Sequence, residues 1–519
     1  MATIEFFDRG WRIAPRGVAY IQDDCSYTFD EVGELSCRIA NGLLAQGYGC
    51  GSKGAVWAGN DVDAWTCALG LWRANMTWIP VGARNSAEEN QFVLDTFDCE
   101  VLFFQQQFAA VIGQLRPTLP KIRTWICIDA ELPDARSLRS WAAEQAACAP
   151  RVDYAMDDVV ALSPTGGTTG VPKGVMNTHR SVQTFVAHYM NCCHYAAADR
   201  VVNLAAAPMT HTSGLLSLPC TARGGTVVVL SKPDPALMLA AIPKYRVSEL
   251  FLPPTVIYRL LDIPELEKKV DFSSLRYFMY GAAPMSVDKL KQALRVFGLV
   301  MVGCYGQTEA PASISYLPPD EHLVAGEPAS DQRLSSVGRP NPLVRVEIMN
   351  EANEILGSGV SGEICVRGDL VMKGYYRAPD KTAETIIDGW LHTGDIGHID
   401  GEGYLYITDR KKDMIISGGF NVYPSEVEQV LWGHPAVRDC AVIGVPDEQW
   451  GEAVKAVVEL NSGQDASEAE LIALCKARLG SVKAPKTVDF IDTLPRSPVG
   501  KVLKKDIRAR YWQNAKRSI

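Results

Sequence analysis

After Thr28, the apolar residues Val32, Leu35, Ile39 and Leu43 recur at helical spacing, which predicts an amphipathic helix with one buried stripe. An unbroken apolar run at 54–58 then predicts a buried strand, 63–73 a second helix, and 78–81 and 101–104 further short strands. Strands alternating with helices favour right-handed crossovers and a parallel sheet, so the fold class is α/β.

The same texture returns between 157 and 318, where 159–162, 226–230 and 275–279 are predicted strands separated by helices, giving a second α/β layer. After Pro340 the chain turns to short strands with frequent glycine, as at 345–349 and 362–367, which suits a small β-rich module. Past Asp409 a further apolar pattern starts, with strands at 441–443 and 456–458 and a helix at 467–479. In that helix Ser467 and Glu470 form a capping box, and Leu471, Leu474 and Cys475 make the buried stripe. The charged run 409–413 reads as a solvated boundary and a hinge. The expected organisation is a large N-terminal domain, 1–409, of layered α/β subdomains plus the β-rich module, followed by a small α+β C-terminal domain, 410–519.

A chain of 519 residues, 47% of them apolar, can bury several cores, which excludes a short peptide, a collagenous chain and a disordered tail. Sixty acidic residues against 51 basic ones leave a net charge of −9, a field that favours neither nucleic acid nor an anionic membrane and points to small-molecule partners. The first nine residues lack the basic and then apolar regions of a secretory signal, and apolar runs such as 298–304 stop short of the roughly 18 residues a membrane span needs. A cytoplasmic protein without a transmembrane segment is expected. Fourteen scattered cysteines, lacking the spacing of a metal framework, are expected to be reduced, small buried hydrophobes.

The chemistry concentrates in 163–174, directly after the predicted strand at 159–162. Gly166, Gly167 and Gly170 let the backbone turn its N–H groups toward an anion, Thr165, Thr168 and Thr169 add hydroxyl donors, and Lys173 adds positive charge. Together these suit a polyphosphate, although the spacing is not that of a Walker A loop. Thr178 is placed to cap the helix that follows, with Val182, Phe185, Val186 and Tyr189 on its core face. Two further segments, 280–284 and 303–309, end apolar strands in small residues, as ligand-facing loops of open α/β sheets do. Tyr305 is suited to stack on a base, and Glu309, a carboxylate beside hydroxyls, to hold Mg²⁺.

Five segments in order, 165–174, 305–309, 390–395, 409–410 and 500–501, resemble the signatures of the adenylate-forming superfamily, and the resemblance covers nearly the whole chain. That superfamily contains acyl-CoA synthetases, aryl-CoA ligases, firefly-type luciferases and carrier-protein adenylation domains. The resemblance implies an acid–CoA ligase: a carboxylate attacks the α-phosphate of ATP to give an acyl-adenylate and pyrophosphate, and CoA then displaces AMP. It implies that the 165–173 loop holds the β- and γ-phosphates and that Thr308 and Glu309 serve phosphate and Mg²⁺. Tyr305, with Gly306 and Gln307 beside it, would frame the adenine together with Gly281, Ala282 and Ala283. Asp395 would accept from the ribose hydroxyls with Arg410 alongside. Lys501 would be the catalytic cation, bridging the attacking carboxylate and the α-phosphate. Val499 stands where the family often has Ser or Ala, with little consequence expected.

By the same resemblance the small domain is mobile, with Lys412 at its hinge, and Ser417, Gly418 and Gly419 face the large domain along the pantetheine path. His211 would wall or gate the acid pocket. Gly306 stands where acetate-type members carry a tryptophan, which implies an acid larger than acetate: a medium- or long-chain fatty acid or an arylalkanoate. A homodimer is among the assemblies this allows. Loading of a carrier protein is the nearest alternative, a luciferase-like oxidative use a more distant one, and a nucleotide sensor without turnover an alternative of a different class.

Overall fold

A computed structural model describes residues 1–165, 172–411, 413–417, 420–447, 450–496 and 502–512, with only the backbone described at 211, 212 and 421. The Thr28 hydroxyl accepts from the Glu31 N–H at 3.2 Å while the Glu31 carboxylate accepts from the Thr28 N–H at 2.7 Å. This capping box opens the helix Phe29–Ala45, whose Val32, Leu35, Ile39 and Leu43 are buried as the spacing requires. Strands Lys53–Trp57, Thr77–Pro80 and Val101–Phe104 pair in parallel, as their alternation with helices predicts.

Helix Val62–Arg73 has no exposed face. Its Trp65 and Trp72 meet strand residue Trp78 edge-on, with ring centroids 5.9 and 5.7 Å away, and each other at 5.4 Å. Each such pair contributes about 0.5–1.5 kcal/mol beyond its buried area. The apolar cluster around them runs from Val56 and Val160 in one sheet to Val227 and Met279 in another, so the helix packs between two sheets.

The two sheets are not successive blocks of sequence. Strand Val159–Thr165, expected in the second layer, pairs with the first sheet through Trp78↔Ala161, so the prediction is corrected there. Strands Thr226–Val229 and Tyr277–Tyr280 do lie in a second, nine-stranded sheet, which also recruits Val18–Gln22 beside Thr226–Val229. A strand, Lys173–Thr178, stands between the 163–174 loop and the helix His179–Cys192, where sequence spacing suggests direct entry into the helix. The loop therefore closes an antiparallel hairpin. Thr178 caps that helix as expected, and Val182, Phe185, Val186 and Tyr189 are buried.

The β-rich module is a five-stranded antiparallel sheet that includes Val344–Met349, Gly362–Gly368 and Trp390–Ile399. The C-terminal segment builds its own sheet from Val437–Asp447 and Gly451–Leu460, backed by the helix Glu468–Lys483. Ser467 caps that helix with Glu470, Leu471 and Cys475 are buried, and Gly480 breaks its dihedrals with φ +79°. Among the described residues no helix is long and apolar enough to cross a membrane.

Candidate functional site

The hairpin puts Thr165 opposite Lys173 at its loop end, and residues 166–171, with Gly166, Gly167, Thr168, Thr169 and Gly170, lie outside the described residues. The Lys173 ammonium sits 4.7 Å from the Tyr375 ring centroid. Tyr375, on the short strand Gly374–Tyr375 that pairs with the hairpin, donates its hydroxyl to Glu309 Oε1 at 2.8 Å. Burial, followed by the Glu309 charge, raises the Tyr375 pKa, so the phenol stays a donor. Asn177 of the same hairpin donates its Nδ2 to the Thr308 carbonyl at 3.3 Å, tying the two sheets together at the site.

Strand Met301–Gln307 supplies the other wall. Its Tyr305 donates to Asp395 Oδ2 at 2.6 Å, and Arg410 Nε lies 2.6 Å from Asp395 Oδ1. Asp395 and Arg410 face each other in register on neighbouring strands of the β-rich module, which fixes the pair. The Asp395 carboxylate is 3% exposed while Arg410 remains 39% exposed, so the guanidinium fans outward over a buried acceptor. Burial and Asp395 push the Tyr305 phenol well up. The expected trio of Tyr305, Asp395 and Arg410 is thus brought together.

The 281–283 turn lies beside this strand. A Cβ on Gly281 would come 2.5 Å from the Cys304 carbonyl oxygen, so only glycine admits the close approach, and Ala282 takes a left-handed φ of +68°. Ala282, Gly306, Gln307 and Thr308 line a cavity of about 240 Å³ whose body is apolar, with Phe185, Leu215, Leu216 and Phe251. Gly306 does border this space. A Cβ there, however, would meet the Ala312 backbone nitrogen at 2.4 Å, so the glycine is required first by the bulged hairpin with Ala310–Leu317. His211 falls in a π-helical turn, Met209–Ser213, of a kind frequent at functional sites, and its side chain lies outside the described residues. Asn60 anchors the turn by accepting from the Met209 N–H at 2.7 Å.

The run 409–413 is less solvated than its charges suggest, and the expectation is corrected for Asp409. That residue is 6% exposed because its carboxylate accepts from the backbone N–H groups of Arg410 and Ser425, at 2.6 and 2.9 Å. Lys504 of the C-terminal segment is drawn toward Asp409 and a second buried carboxylate. It lies 2.7 Å from Glu428, whose side chain is 5% exposed. Burial raises the Glu428 and Asp409 pKa values against the opposing pull of Lys504. Burial opposes charge on Lys504 too, but Glu428 and Asp409 prevail and hold its pKa up. Ser417 is buried at the end of strand Ile415–Ser417. Gly418, Gly419, Lys412 and Lys501 lie outside the described residues.

A buried acceptor-only carboxylate beside an outward guanidinium, and a hairpin end carrying hydroxyl and ammonium, suit a nucleotide with its phosphates. The profile of the AMP-binding enzyme family matches residues 7–376, and that of the AMP-binding enzyme C-terminal domain matches 426–501. The chain belongs to this adenylate-forming family. FadD8 of Mycobacterium tuberculosis, a medium/long-chain-fatty-acid–CoA ligase, is 42% identical over 71% of this chain and 64% of its own length, so the match spans less than two thirds of that relative. A feruloyl-CoA synthase of Amycolatopsis is 35% identical over 96% of this chain and 97% of that enzyme. The ATP-bound structure of MatB from Rhodopseudomonas palustris superposes with a TM-score of 0.88 at 30% identity, covering 98% of this chain and 99% of MatB.

Within this family frame, sequence reasoning missed Tyr375 and Glu363. The Glu363 carboxylate accepts from the Gly394 N–H at 3.0 Å and lies 3.3 Å from both His392 Nδ1 and Lys411 Nζ. Both residues sit on β-strands with no motif around them; a cross-strand partner is invisible until register is known.

Proposed function

We propose that the chain activates a carboxylic acid larger than acetate, a medium- or long-chain fatty acid or an arylalkanoate, as an AMP-forming acyl-CoA synthetase. The acid and ATP form an acyl-adenylate and pyrophosphate, and the CoA thiol then displaces AMP to give the thioester. The carrying observation is the convergence on one strand end. Residues 305–309 meet Asp395 and Arg410 on one side, the Tyr375–Lys173 edge of the hairpin on another, and the apolar cavity on a third. Acid and nucleotide are thereby held side by side, which turns a bimolecular attack into a local one.

Asp395 and Arg410 are suited to the ribose, Tyr305 with Gly281, Ala282 and Ala283 to the adenine, and Thr165, Lys173 and Thr308 to the phosphates. Gln307 Nε2, a buried donor without a partner among the described residues, fits a bound acceptor. Mg²⁺ would be held by Glu309 and the phosphates, in keeping with an ion that uses one or two carboxylates plus substrate oxygens, and would offset phosphate charge. Lys501 is assigned to bridge the acid and the α-phosphate from a C-terminal domain that starts at 410, with the hinge at Lys412 and the pantetheine path along 417–419. His211 is assigned to the acid pocket. All fourteen cysteines are free thiols, which fits a reducing, cytoplasmic compartment.

Acid-dependent ATP–pyrophosphate exchange tests the reading. Exchange without CoA, and thioester formation once CoA is added, is the expected outcome. Lys501→Ala should lower the exchange rate by about 100-fold or more. An unchanged rate in that variant would remove its catalytic assignment, and a chain that binds ATP yet shows no exchange with any acid would be a sensor.

A further inference from the structure

Asn60 stands just past strand Lys53–Trp57 of the first sheet, yet its amide bonds the second. Nδ2 donates to the carbonyls of Ala205, Ala207 and Leu230 at 3.2, 3.1 and 2.9 Å, and Oδ1 accepts from the Met209 N–H at 2.7 Å. Ala205 ends strand Val202–Ala205 and Leu230 follows strand Thr226–Val229, two parallel neighbours in the nine-stranded sheet, so one amide serves two adjacent strand ends. The partners settle which way the amide points. Reversed, it would set an oxygen against three carbonyls and a donor against an N–H.

Asn60 is itself held on both sides. The Gly59 N–H donates to Gln105 Oε1 at 2.8 Å, and Asp61 caps helix Val62–Arg73 by accepting from the Ala64 N–H at 2.8 Å. What Asn60 grips is the entry to the π-helical turn Met209–Ser213, whose first N–H groups have no acceptor within the turn. That turn runs straight into helix Gly214–Thr221, and Leu215 and Leu216 of the helix line the apolar cavity. The same cavity takes Trp78, Pro80 and Ser163 from the first sheet and Phe251 and Cys304 from the second. Its lining therefore belongs to two sheets, and Asn60 bonds one to the other.

We infer that Asn60 is a positioning residue for the acid. By joining the sheets at the root of the Met209–Ser213 turn, it sets where Leu215 and Leu216 stand and hence the width of the space between them and the first-sheet wall. Asn60 does not border the cavity, so it acts through the turn and the helix rather than by touching the acid. Without its amide, three carbonyls and one N–H lose their partner, and the turn must shift to satisfy them. The Asp395–Arg410 pair and the Tyr375–Lys173 edge share no bond with Asn60 among the described residues, so the nucleotide side should be insensitive to it. This inference rests on the acid–CoA ligase reading and adds to it what fixes the acid pocket.

A panel of carboxylates that includes octanoate and 3-phenylpropanoate, assayed by acid-dependent pyrophosphate exchange, supplies the best acid of the unmodified protein as the probe. Asn60→Ala is expected to raise KM for that acid by about ten-fold and to leave KM for ATP within about two-fold. Neither constant depends on how much of a preparation is folded. Asn60→Asp fills the same space but sets a charged oxygen against three carbonyls, so its KM for the acid should rise at least as far as that of Asn60→Ala. A side chain that merely filled space would give the opposite order, with Asp close to Asn. Asn60→Ser, which keeps a short donor and acceptor, should fall between the unmodified protein and Asn60→Ala, and it keeps the order readable if Asn60→Asp does not fold. An unchanged KM for the acid in Asn60→Ala, an equal rise for acid and ATP, or Asn60→Asp nearer than Asn60→Ala to the unmodified protein overturns the inference and leaves the ligase reading standing. Absence of exchange with every acid of the panel overturns the ligase reading, and the inference with it.

Discussion

Tyr305 donates its hydroxyl to a carboxylate that is 3% exposed and shared with Arg410. Tyr305→Phe keeps the ring and removes one donor from that buried acceptor, so unfolding free energy should fall by about 1–3 kcal/mol, measured by urea denaturation. Lys504 makes a sharper case because it faces two buried carboxylates, Glu428 and Asp409. Lys504→Met should cost about 3–5 kcal/mol at neutral pH by leaving them uncompensated. The folded pKa values of both carboxylates are already raised by burial, and loss of Lys504 raises them further. A raised folded pKa gives stability that is fully present below the unfolded value and is lost as pH climbs through the folded one. The deficit of the variant should therefore shrink as pH falls from 7 toward 5, and a deficit that stays constant with pH would contradict the pairing.

At the level of elements, the helices were the most legible feature. Ser467 with Glu470 marks an N-terminus in sequence and that capping box forms; the box of Thr28 with Glu31 emerges only in the structure. Strand membership was much less legible. Residues 159–162 are apolar enough for either sheet, and only the pairing of Ala161 with Trp78 decides between them. The motif residues Tyr305, Asp395 and Arg410 were readable because family spacing marks them. Tyr375 and Glu363 were not, since their contacts come from cross-strand register, which one sequence does not encode locally. The π-helical turn Met209–Ser213 was also unreadable, but it has a testable consequence. A Cβ on Gly214, just after it, would lie 2.2 Å from the Met209 carbonyl oxygen and 2.3 Å from the Trp65 ring. Gly214→Ala should cost at least about 1–3 kcal/mol in a denaturation assay and raise KM for the acid more than for ATP.

Across the whole molecule, three buried histidines link stability to acidity. His179 Nδ1 accepts from the Thr3 N–H at 2.9 Å, and His188 Nε2 accepts from the Leu343 N–H at 3.3 Å while its Nδ1 faces the Ser313 carbonyl. His322 Nε2 accepts from the Tyr280 hydroxyl at 3.0 Å, with its Nδ1 facing the Pro318 carbonyl. Each neutral ring is thus satisfied with one acceptor nitrogen, and a second proton would turn that acceptor into a clashing donor. Burial accordingly lowers all three pKa values to about 4. A depressed histidine pKa means that the unfolded chain binds more protons between about 4 and 6.5, so stability rises with pH through that window and falls on acidification. Each histidine should add up to about 1.4 kcal/mol per pH unit to the slope, and replacing His188 by Gln should flatten the profile seen in urea titrations between pH 6.5 and 4.5.

The strand Met301–Gln307 meets the Asp395–Arg410 pair and the apolar cavity from opposite faces of one ribbon, so under the proposed function it would serve two ligands. Tyr305 addresses the Asp395 carboxylate proposed for the ribose, while Cys304 and Gly306, the neighbours on either side, border the apolar cavity. Backbone crowding locks Gly306, whereas Cys304, partly buried, directs its thiol to the Tyr280 carbonyl at 3.2 Å. Under the proposed function, exchange at position 304 would reshape the space offered to the acid while leaving the Tyr305–Asp395 contact in place, so the choice of fuel and the use of ATP could change separately.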